Sequence, residues 1–313
     1  MKVVTDIAQI DRREWKQLLE TSSLANWFQS PAAYDFFVSV SDCLTPFIAA
    51  VYEKRLCGVM VGYTVPTDGF LRYFSERTII NGGPLLADDI SDEALEALLR
   101  AVPNRGIYCE TRNFNKYDFQ RTVFEQCGWQ YKPHYDLWIS CDNSWRERIQ
   151  PAKRQQIRRA QEDGQTWSEA QTEEDVRAWY VELRELYNTK VHRPLFPLSF
   201  FVAAWRSKAC HLLIVRDSES NVIGGALVPH LPQMAYEWYI CGPVMATYAI
   251  LEWCEQNKIP RLDMMGAGEP HKHYGVRDFK LRVGGYLCKF GRFIKVNAPL
   301  RYRLGVAYIN HKS

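Results

Sequence analysis

The 313-residue sequence lacks the patterns that mark membrane-spanning and secreted proteins. No apolar run approaches the roughly 18–20 residues that a membrane helix needs. The N-terminus has neither a long apolar stretch nor a small-residue cleavage site, so no signal peptide is indicated. The nine cysteines are scattered, and none forms a C-x-x-C pair or a local catalytic signature. We therefore expect a cytoplasmic protein whose thiols are reduced and mostly buried.

The sequence also has little net charge, because 39 basic side chains stand against 36 acidic ones and leave +3. This surplus is too small to predict nonspecific nucleic-acid binding across the whole surface. Hydrophobic residues make up 47% of the chain, which is ample for ordinary cores, and aromatic residues reach 13%. Aromatic side chains of this abundance serve deep cores or stacking sites, and composition does not separate the two. The length indicates about two domains.

One pattern of elements occurs twice. Residues 47–62 and 211–228 each contain an apolar run, a polar turn and a second apolar run near a glycine, which predicts a β-hairpin in each half. Helix-like sequence precedes each hairpin, and a third extended segment follows it. The repetition predicts two similar domains of mixed α/β structure.

Further elements follow the hairpins in the same order in both halves. In the first half, periodicity and glycines predict a strand at 78–86, a helix at 92–100, a strand at 107–111, a helix at 119–127 and a strand at 134–140. In the second half, they predict helices at 173–189 and 198–205, a strand at 235–240, a helix at 246–257, a strand at 261–265, a helix at 276–283 and a strand at 286–296. We expect a boundary within 143–164, which gives domains 1–145 and 146–313.

Three segments resemble motifs of the Fem-type aminoacyltransferases and the related FemAB-like acyltransferases. Asn26–Tyr34 resembles the family's F-x-Q-S/T segment, and Lys153–Ala160 resembles its K-x-R-x-x-I-R/K-K-A segment. Tyr274–Gly285 resembles its C-terminal F-K-x-x-F-G/G-G signature, which is the most specific of the three. The element order is similar to that of two GNAT acyltransferase domains in tandem.

The resemblance implies an α/β fold with mixed sheets, made of two GNAT-like domains. It implies a transferase that moves an aminoacyl or acyl group onto an amine acceptor, such as the side chain of a lipid-linked or nucleotide-linked muropeptide in peptidoglycan biosynthesis. No permanently bound cofactor and no metal are expected. The donor would be aminoacyl-tRNA or acyl-CoA, and membrane contact would be peripheral at most. The helical arm that many Fem ligases carry in their second half is missing here, which leaves the use of tRNA open.

Two catalytic residues follow from the resemblance. Lys280, in the Phe279-Lys280 pair, would stabilise the oxyanion of the transfer step, with Phe279 beside the substrate. Glu110, on the predicted strand 107–111, would orient or deprotonate the incoming amine. The alternatives are a solvated lysine on the last helix and a salt-bridged glutamate.

Further candidates concern substrate binding. The resemblance implies that Arg193 contacts a phosphate of the acceptor, a group that suits the planar guanidinium. Tyr236 and Tyr239 lie on the strand that would border the cleft. Alternation places these two on opposite faces, so only one can face the cleft.

A basic cluster at 153–159 includes Arg154 and Arg158, which share one helix face and would suit phosphate groups. The alternative is a solvated charged helix. The pair His271 and His273 is weak evidence for a metal site, since no cysteine or carboxylate array lies nearby.

Two other functions remain open. An acyl-CoA N-acyltransferase would need the motif Q/R-x-x-G-x-G/A, whose backbone N–H groups hold the pyrophosphate at a helix N-terminus. Residues 81–87 (NGGPLLA) and 241–246 (CGPVMA) do not match this motif, and proline removes a donor in each. The other possibility is a binding protein that keeps a GNAT-like cleft without chemistry.

Overall fold

The computed structural model describes residues 1–66 and 76–312, with side chains through residue 305. The described strands are β1 Lys2–Val4, β2 Thr45–Tyr52, β3 Leu56–Val65, β4 Arg77–Gly82, β5 Leu85–Leu86, β6 Tyr108–Asn113, β7 Gln130–Lys132, β8 Asp136–Ser140, β9 Thr166–Glu169, β10 His211–Arg216, β11 Val222–Val228, β12 His230–Leu231, β13 Met234–Tyr236, β14 Tyr239–Cys241, β15 Arg261–Asp263, β16 Tyr286–Cys288 and β17 Arg292–Val296.

The described helices are α1 Arg12–Thr21, α2 Pro31–Ser39, α3 Asp92–Arg100, α4 Arg121–Gln126, α5 Trp145–Arg148, α6 Pro151–Glu162, α7 Glu173–Leu186, α8 Leu198–Arg206, α9 Val244–Gln256, α10 Gly275–Arg282 and α11 Pro299–Lys312. A π-helical turn, Tyr187–Val191, extends α7. Both predicted hairpins are present as β2–β3 and β10–β11. No helix within residues 1–66 and 76–312 is long and apolar enough to cross a membrane.

The chain folds into two compact units. Unit 1 combines Met1–His134 with Lys289–Ser313, and unit 2 is Tyr135–Cys288. This division differs from the single boundary expected between residues 145 and 146. Strand β8, expected to end the first half, pairs with β15 and β16 in unit 2, while β17 returns to pair with β6 and β7 in unit 1. Such pairing between distant segments leaves no local signal in the sequence.

Unit 1 contains one mixed sheet with the order β1-β2-β3-β4-β6-β17-β7, and β5 pairs beside β3. Only β4 and β6 among its described pairs run parallel. Helices α1, α2 and α3 pack on β2 and β3, where large aromatic side chains fill the core. The predicted strand at 78–86 is divided into β4 and β5, because Gly82 and Gly83 both adopt left-handed backbone conformations.

Gln29, the glutamine of the F-x-Q-S segment, has a structural role in unit 1. Its side chain accepts a hydrogen bond from the N–H of Val61 at 2.7 Å, and donates to the carbonyls of Val61 and Asn81 at 2.9 Å each. It thereby joins β3 to β4. Ser30 then caps α2 by accepting from the N–H of Ala33. In this motif, the glutamine therefore connects two strands and the serine begins a helix.

Unit 2 contains two sheets, with the orders β14-β11-β10-β9 and β12-β13-β15-β8-β16. A core cluster of apolar side chains from α5, α6, α9, β8, β10 and β15 lies in this unit. The predicted strand at 286–296 is interrupted: β16 belongs to unit 2 and β17 to unit 1. Gly291, with φ of 70°, lies in the interruption, where a left-handed backbone favours glycine.

Candidate active site in unit 2

The candidate site lies where two parallel strands of unit 2 separate. Strands β13 and β15 pair through Tyr236 and Asp263, and after this point their partners differ. The chain after β13 continues as β14 and pairs with β11, whereas Met264 donates its N–H to Leu137 of β8. The two strands therefore open a gap at their carboxyl ends.

A β-bulge causes this separation. Strand β11 pairs with β14, and β12 pairs with β13. Between these two paired regions, residues 228–229 on one side face residues 236–238 on the other, so the side that carries β13 and β14 has one extra residue. A bulge of this kind bends a strand and redirects its side chains. Glu237 and Trp238 occupy the bulge, with the N–H of Glu237 bonded to the carbonyl of Asp263 at 2.9 Å. The simple alternation predicted for 235–240 is therefore interrupted at this point.

Glu237 is a buried carboxylate, with 5% of its surface exposed. Its Oε1 lies 3.5 Å from Nζ of Lys280, and its Oε2 has no hydrogen-bond partner among the described residues. Burial raises the pKa of Glu237 to about 7, and the charge of Lys280 offsets part of this effect. Glu237 is therefore near the midpoint of its titration at neutral pH.

Lys280 enters the gap from α10 and is 6% exposed. Its Nζ donates to the carbonyl of Met264 and lies 3.5 Å from the carbonyls of Met265 and Gly266. These carbonyls belong to the segment that follows β15. Lys280 thus places a positive charge beside Glu237 and holds the end of β15 in place.

The turn after β15 is supported by a second buried acid. Met265 has φ of 62°, and its N–H donates to Oδ1 of Asp263 at 2.7 Å, while Nε1 of Trp138 donates to Oδ2 at 2.9 Å. Burial, together with the negative charge of Asp136, raises the pKa of Asp263 well above its usual range. This hydrogen bonding stabilises the left-handed turn whose carbonyls bind Lys280.

Two glycines close the helix that carries Lys280. Gly284 has φ of 98°, and the N–H of Gly285 donates to the carbonyl of Lys280 at 3.1 Å. A Cβ atom at Gly285 would lie 1.7 Å from the Leu137 side chain. The Gly-Gly of the C-terminal signature is therefore required by the helix end and by close packing on β8.

Phe279 and the basic helix α6 lie next to this helix. Phe279 is partly buried against the core of unit 2, and Nζ of Lys153 is 4.9 Å from its ring centroid. Burial and the charge of Arg282 lower the pKa of Lys153. Arg154 and Arg158 are exposed on α6, four residues apart. The structure thus places the second and third motif segments side by side.

The remaining binding candidates of unit 2 are more dispersed. Tyr236 is 1% exposed and belongs to the interior. Tyr239 is partly buried, with its ring centroid 5.0 Å from that of Phe201. Arg193 is exposed in the loop between the π-helical turn and α8. Their roles in binding stay predictions.

Glu110, the second catalytic candidate, lies in unit 1 on β6. Burial alone would raise its pKa, but the charges and hydrogen bonds of Arg112 and Arg292 outweigh burial and hold the pKa at about 2. The contacts are 3.0 Å to Nε of Arg112 and 2.8 Å to Nη1 of Arg292. Such a carboxylate is a weak base at neutral pH, and it joins β6 to β17.

Sequence reasoning did not select Glu237 as a site residue. The available signal was a single carboxylate inside an otherwise apolar and aromatic strand, 234–241. For the histidine pair, the structure shows His273 exposed, with Nε2 3.2 Å from Asp278. Among the side chains described, those of residues 1–66 and 76–305, no group of three could bind a metal ion.

Comparison with solved structures shows the fold. No family model and no curated protein sequence matches the chain. The structure of FemX aligns with a TM-score of 0.70 and 13% identity, over 97% of this chain and 99% of FemX. L-PGS from Bacillus licheniformis gives 0.58 and 12%, over 94% and 95%. The C-terminal domain of a putative lysylphosphatidylglycerol synthetase from Agrobacterium fabrum gives 0.56 and 10%, over 95% and 96%.

These alignments confirm the predicted α/β class and the tandem GNAT-like fold of the Fem type. Because each identity is below 15%, they concern the fold only. Fold likeness does not by itself establish an activity, so the function must be argued from the site.

Proposed function

We propose that the protein is a transferase that moves an aminoacyl or acyl group onto an amine, with Lys280 and Glu237 as its catalytic residues. The observation that carries this proposal is the buried pair at the opening between β13 and β15, in which Lys280 lies 3.5 Å from a carboxylate of pKa about 7. A base with such a pKa can accept a proton at neutral pH, which a normal glutamate does poorly.

The reaction needs one proton acceptor and one stabilising charge. The amine nitrogen forms a bond to the carbonyl carbon of the donor ester or thioester, and the C=O electron pair moves onto oxygen. Glu237 Oε2 accepts the proton that the amine loses. Lys280 stabilises the oxyanion, and its charge is no longer balanced once Glu237 is protonated. The oxyanion then collapses, the C–O or C–S bond breaks, and the leaving group receives the proton.

For the donor, we propose aminoacyl-tRNA, with acyl-CoA as the alternative. The segment from β14 to α9 favours aminoacyl-tRNA over acyl-CoA. Its Pro243 is the N-cap residue of α9 and has no N–H that could bind the pyrophosphate of CoA. The exposed Arg154 and Arg158 on α6 would contact phosphates of the donor.

For the acceptor, we propose an amine on a peptidoglycan precursor, a muropeptide linked to lipid or nucleotide, with Arg193 near its phosphate and with Tyr239 and Phe279 beside the cleft, whereas the buried Tyr236 supports the strand. Such a reaction belongs in the cytoplasm. The L-PGS likeness supports testing a lipid acceptor as well.

Labelled transfer tests the proposal. Purified protein would be incubated with a muropeptide precursor and a charged tRNA pool, and in parallel with acetyl-CoA or with phosphatidylglycerol vesicles. Product formation would be followed by mass spectrometry. Lys280→Met should lower the rate about 100-fold or more, as loss of one oxyanion-stabilising group does. Lys272→Met is the matched control, because Lys272 is an exposed lysine paired with Glu269 in the same unit.

The outcomes separate the alternatives. Transfer from tRNA that depends on Lys280 would support the proposal, and transfer from acetyl-CoA alone would make the protein an acyl-CoA N-acyltransferase. An unchanged rate in Lys280→Met would remove the catalytic role of the pair. Saturable precursor binding without transfer from any donor would favour the binding protein.

A further inference from the structure

The turn after β15 contains a strained backbone position. Met265 has φ of 62°, in the left-handed region that residues with a Cβ atom avoid, and its carbonyl lies 3.5 Å from Nζ of Lys280. In the described part of the chain, the other non-glycine residues with positive φ lie at helix ends or in the β10–β11 hairpin, where this conformation is common: His192, Lys208, Ser220 and Lys258. Met265 instead follows a strand. Such strain persists only where surrounding contacts stabilise it, and it is concentrated at functional sites.

Asp263 supplies the contact that stabilises this turn. Its side chain is fully buried, and Oδ1 accepts a hydrogen bond from the N–H of Met265, two residues later, at 2.7 Å. Oδ2 accepts from Nε1 of Trp138 on β8 at 2.9 Å, which fixes the orientation of the carboxyl group. The side chain of Asp263 therefore helps to direct the carbonyls of residues 264–266 towards Nζ of Lys280.

The backbone of Asp263 contacts the other member of the buried pair. Its carbonyl accepts from the N–H of Glu237 at 2.9 Å, at the bulge where β13 separates from β15. Asp263 thus contacts Glu237 through its backbone and supports Lys280 through the turn. Hydrogen bonds from one residue therefore help to fix the distance of 3.5 Å between Oε1 of Glu237 and Nζ of Lys280.

A second acid allows Asp263 to support the turn without a charge of its own. Asp136 on β8 is 4% exposed and is hydrogen-bonded to the carboxyl group of Asp263. Burial, followed by the charge of Asp136, raises the pKa of Asp263 well above its usual range. Two buried carboxyl groups in contact do not both ionise, so they share one proton. The raised pKa assigns this proton to Asp263, and Glu237 is then the acid whose charge Lys280 balances.

We propose that Asp263 is a positioning residue of the site, which holds Met265 in the left-handed conformation and thereby sets the place of the Lys280 ammonium group relative to Glu237. The proposal rests on the proposed function, in which Lys280 and Glu237 carry out the transfer. Without the carboxyl group of Asp263, the turn relaxes, the carbonyls of residues 264–266 turn away, and Lys280 leaves its position beside Glu237.

Kinetics of labelled transfer test this role. Asp263→Leu removes the acceptor with little change in size, and it should lower kcat about 100-fold, as a displacement of about 1 Å at a catalytic group does. KM should change little, because the lost interaction acts in the transition state. Met265→Gly in the same chain should recover most of kcat, since glycine adopts the left-handed conformation without support. Asp263→Asn, which keeps an acceptor for Met265 and a donor for Asp136, should retain most of the rate.

The pKa of Glu237 gives a second measurement, which needs no transfer. The carbon-13 signal of its carboxyl group, assigned by its loss in Glu237→Gln, should titrate with a pKa of about 7 in wild type. In Asp263→Leu this pKa should rise by about 1 unit, because Lys280 no longer offsets the effect of burial, and Met265→Gly should reverse the rise. Asp217→Leu is the matched control, because Asp217 also accepts backbone N–H groups in a turn of unit 2, where Ser220 has φ of 68°.

The outcomes separate this proposal from the proposed function. Unchanged kcat and an unchanged pKa of Glu237 in folded Asp263→Leu would overturn it, and so would changes that Met265→Gly does not reverse. If wild type transfers no group, the proposed function fails, and the pKa of Glu237 alone decides the positioning role. If Asp263→Leu does not fold, Met265→Val decides, because a β-branched side chain opposes the left-handed conformation and leaves Asp263 in place. It should lower kcat and raise the pKa of Glu237, and wild-type values would overturn the proposal.

Discussion

Replacing Glu237 with glutamine removes proton uptake by the candidate base while it keeps the shape of the side chain. Glutamine keeps the size of the side chain and its capacity to accept a hydrogen bond from Lys280, but it takes up no proton at neutral pH. Glu237 is buried, so the substitution exposes no new surface. Differences between wild type and variant therefore report the proton equilibrium of this one carboxyl group.

The magnitude follows from the pKa difference. Glu237 has a pKa of about 7 in the folded protein and 4.5 as an ordinary glutamate. Between these values the folded state holds a proton that the unfolded state does not, so stability falls as the pH rises. A difference of about 2.5 units at 1.36 kcal/mol per unit corresponds to about 3 kcal/mol. Wild type should lose this much more stability than Glu237→Gln between pH 4.5 and 7.5.

Two assays check this expectation. Urea unfolding at a series of pH values, followed by the tryptophan fluorescence of the whole chain, gives the stability difference. The pH profile of kcat/KM for transfer should rise through about pH 7 in wild type, because the base must be unprotonated. Glu237→Gln should be much slower and should lack this limb. Glu219→Gln, in an exposed turn of the same unit, should behave like wild type.

The reasoning fails if wild type and Glu237→Gln show parallel pH dependence of stability, since Glu237 would then have an ordinary pKa. A rate profile that keeps its limb near pH 7 in the variant would assign the base role to another group. If the stability difference depends on pH as expected but Glu237→Gln keeps full activity, Glu237 is a structural partner of Lys280 and not the base.

Two further substitutions test the motifs as structural elements. Gln29→Leu should destabilise unit 1 by about 3 kcal/mol, because the N–H and C=O of Val61 and the C=O of Asn81 lose their buried partner. Chemical denaturation measures this, and a loss below about 1 kcal/mol would contradict the bridging role. Gly285→Ala should impair unit 2, since its Cβ would collide with Leu137; an unchanged melting temperature and unchanged transfer would disprove this requirement.

Local signals in the sequence predicted most elements. The apolar spacing of 92–100 corresponds to α3, and the two hairpins lie where their polar turns indicated. Pairing between distant segments was not predictable in the same way. Strand β17 pairs with β6, about 180 residues earlier, and nothing in residues 292–296 distinguishes this partner from a strand of the second half.

The candidate site was predictable only in part. Lys280 could be selected because a motif surrounds it, but the pKa of Glu237 depends on burial and on one nearby charge, which no sequence pattern expresses. The bulge was not predictable either, because it is defined by which residues of β11 and β12 face those of β13 and β14, and the alternation of apolar residues alone does not give this register.

The two units illustrate how neighbours decide the chemistry of a carboxylate. In unit 1, the parallel pair β4–β6 spans six residues, and two arginines hold the pKa of Glu110 at about 2. In unit 2, the parallel pair β13–β15 spans two residues before it opens, and burial beside one lysine raises the pKa of Glu237 to about 7. Both glutamates are buried, so burial alone does not explain the difference. The number of neighbouring cations does, because two arginines hold Glu110 ionised whereas a single lysine leaves Glu237 able to accept a proton at neutral pH.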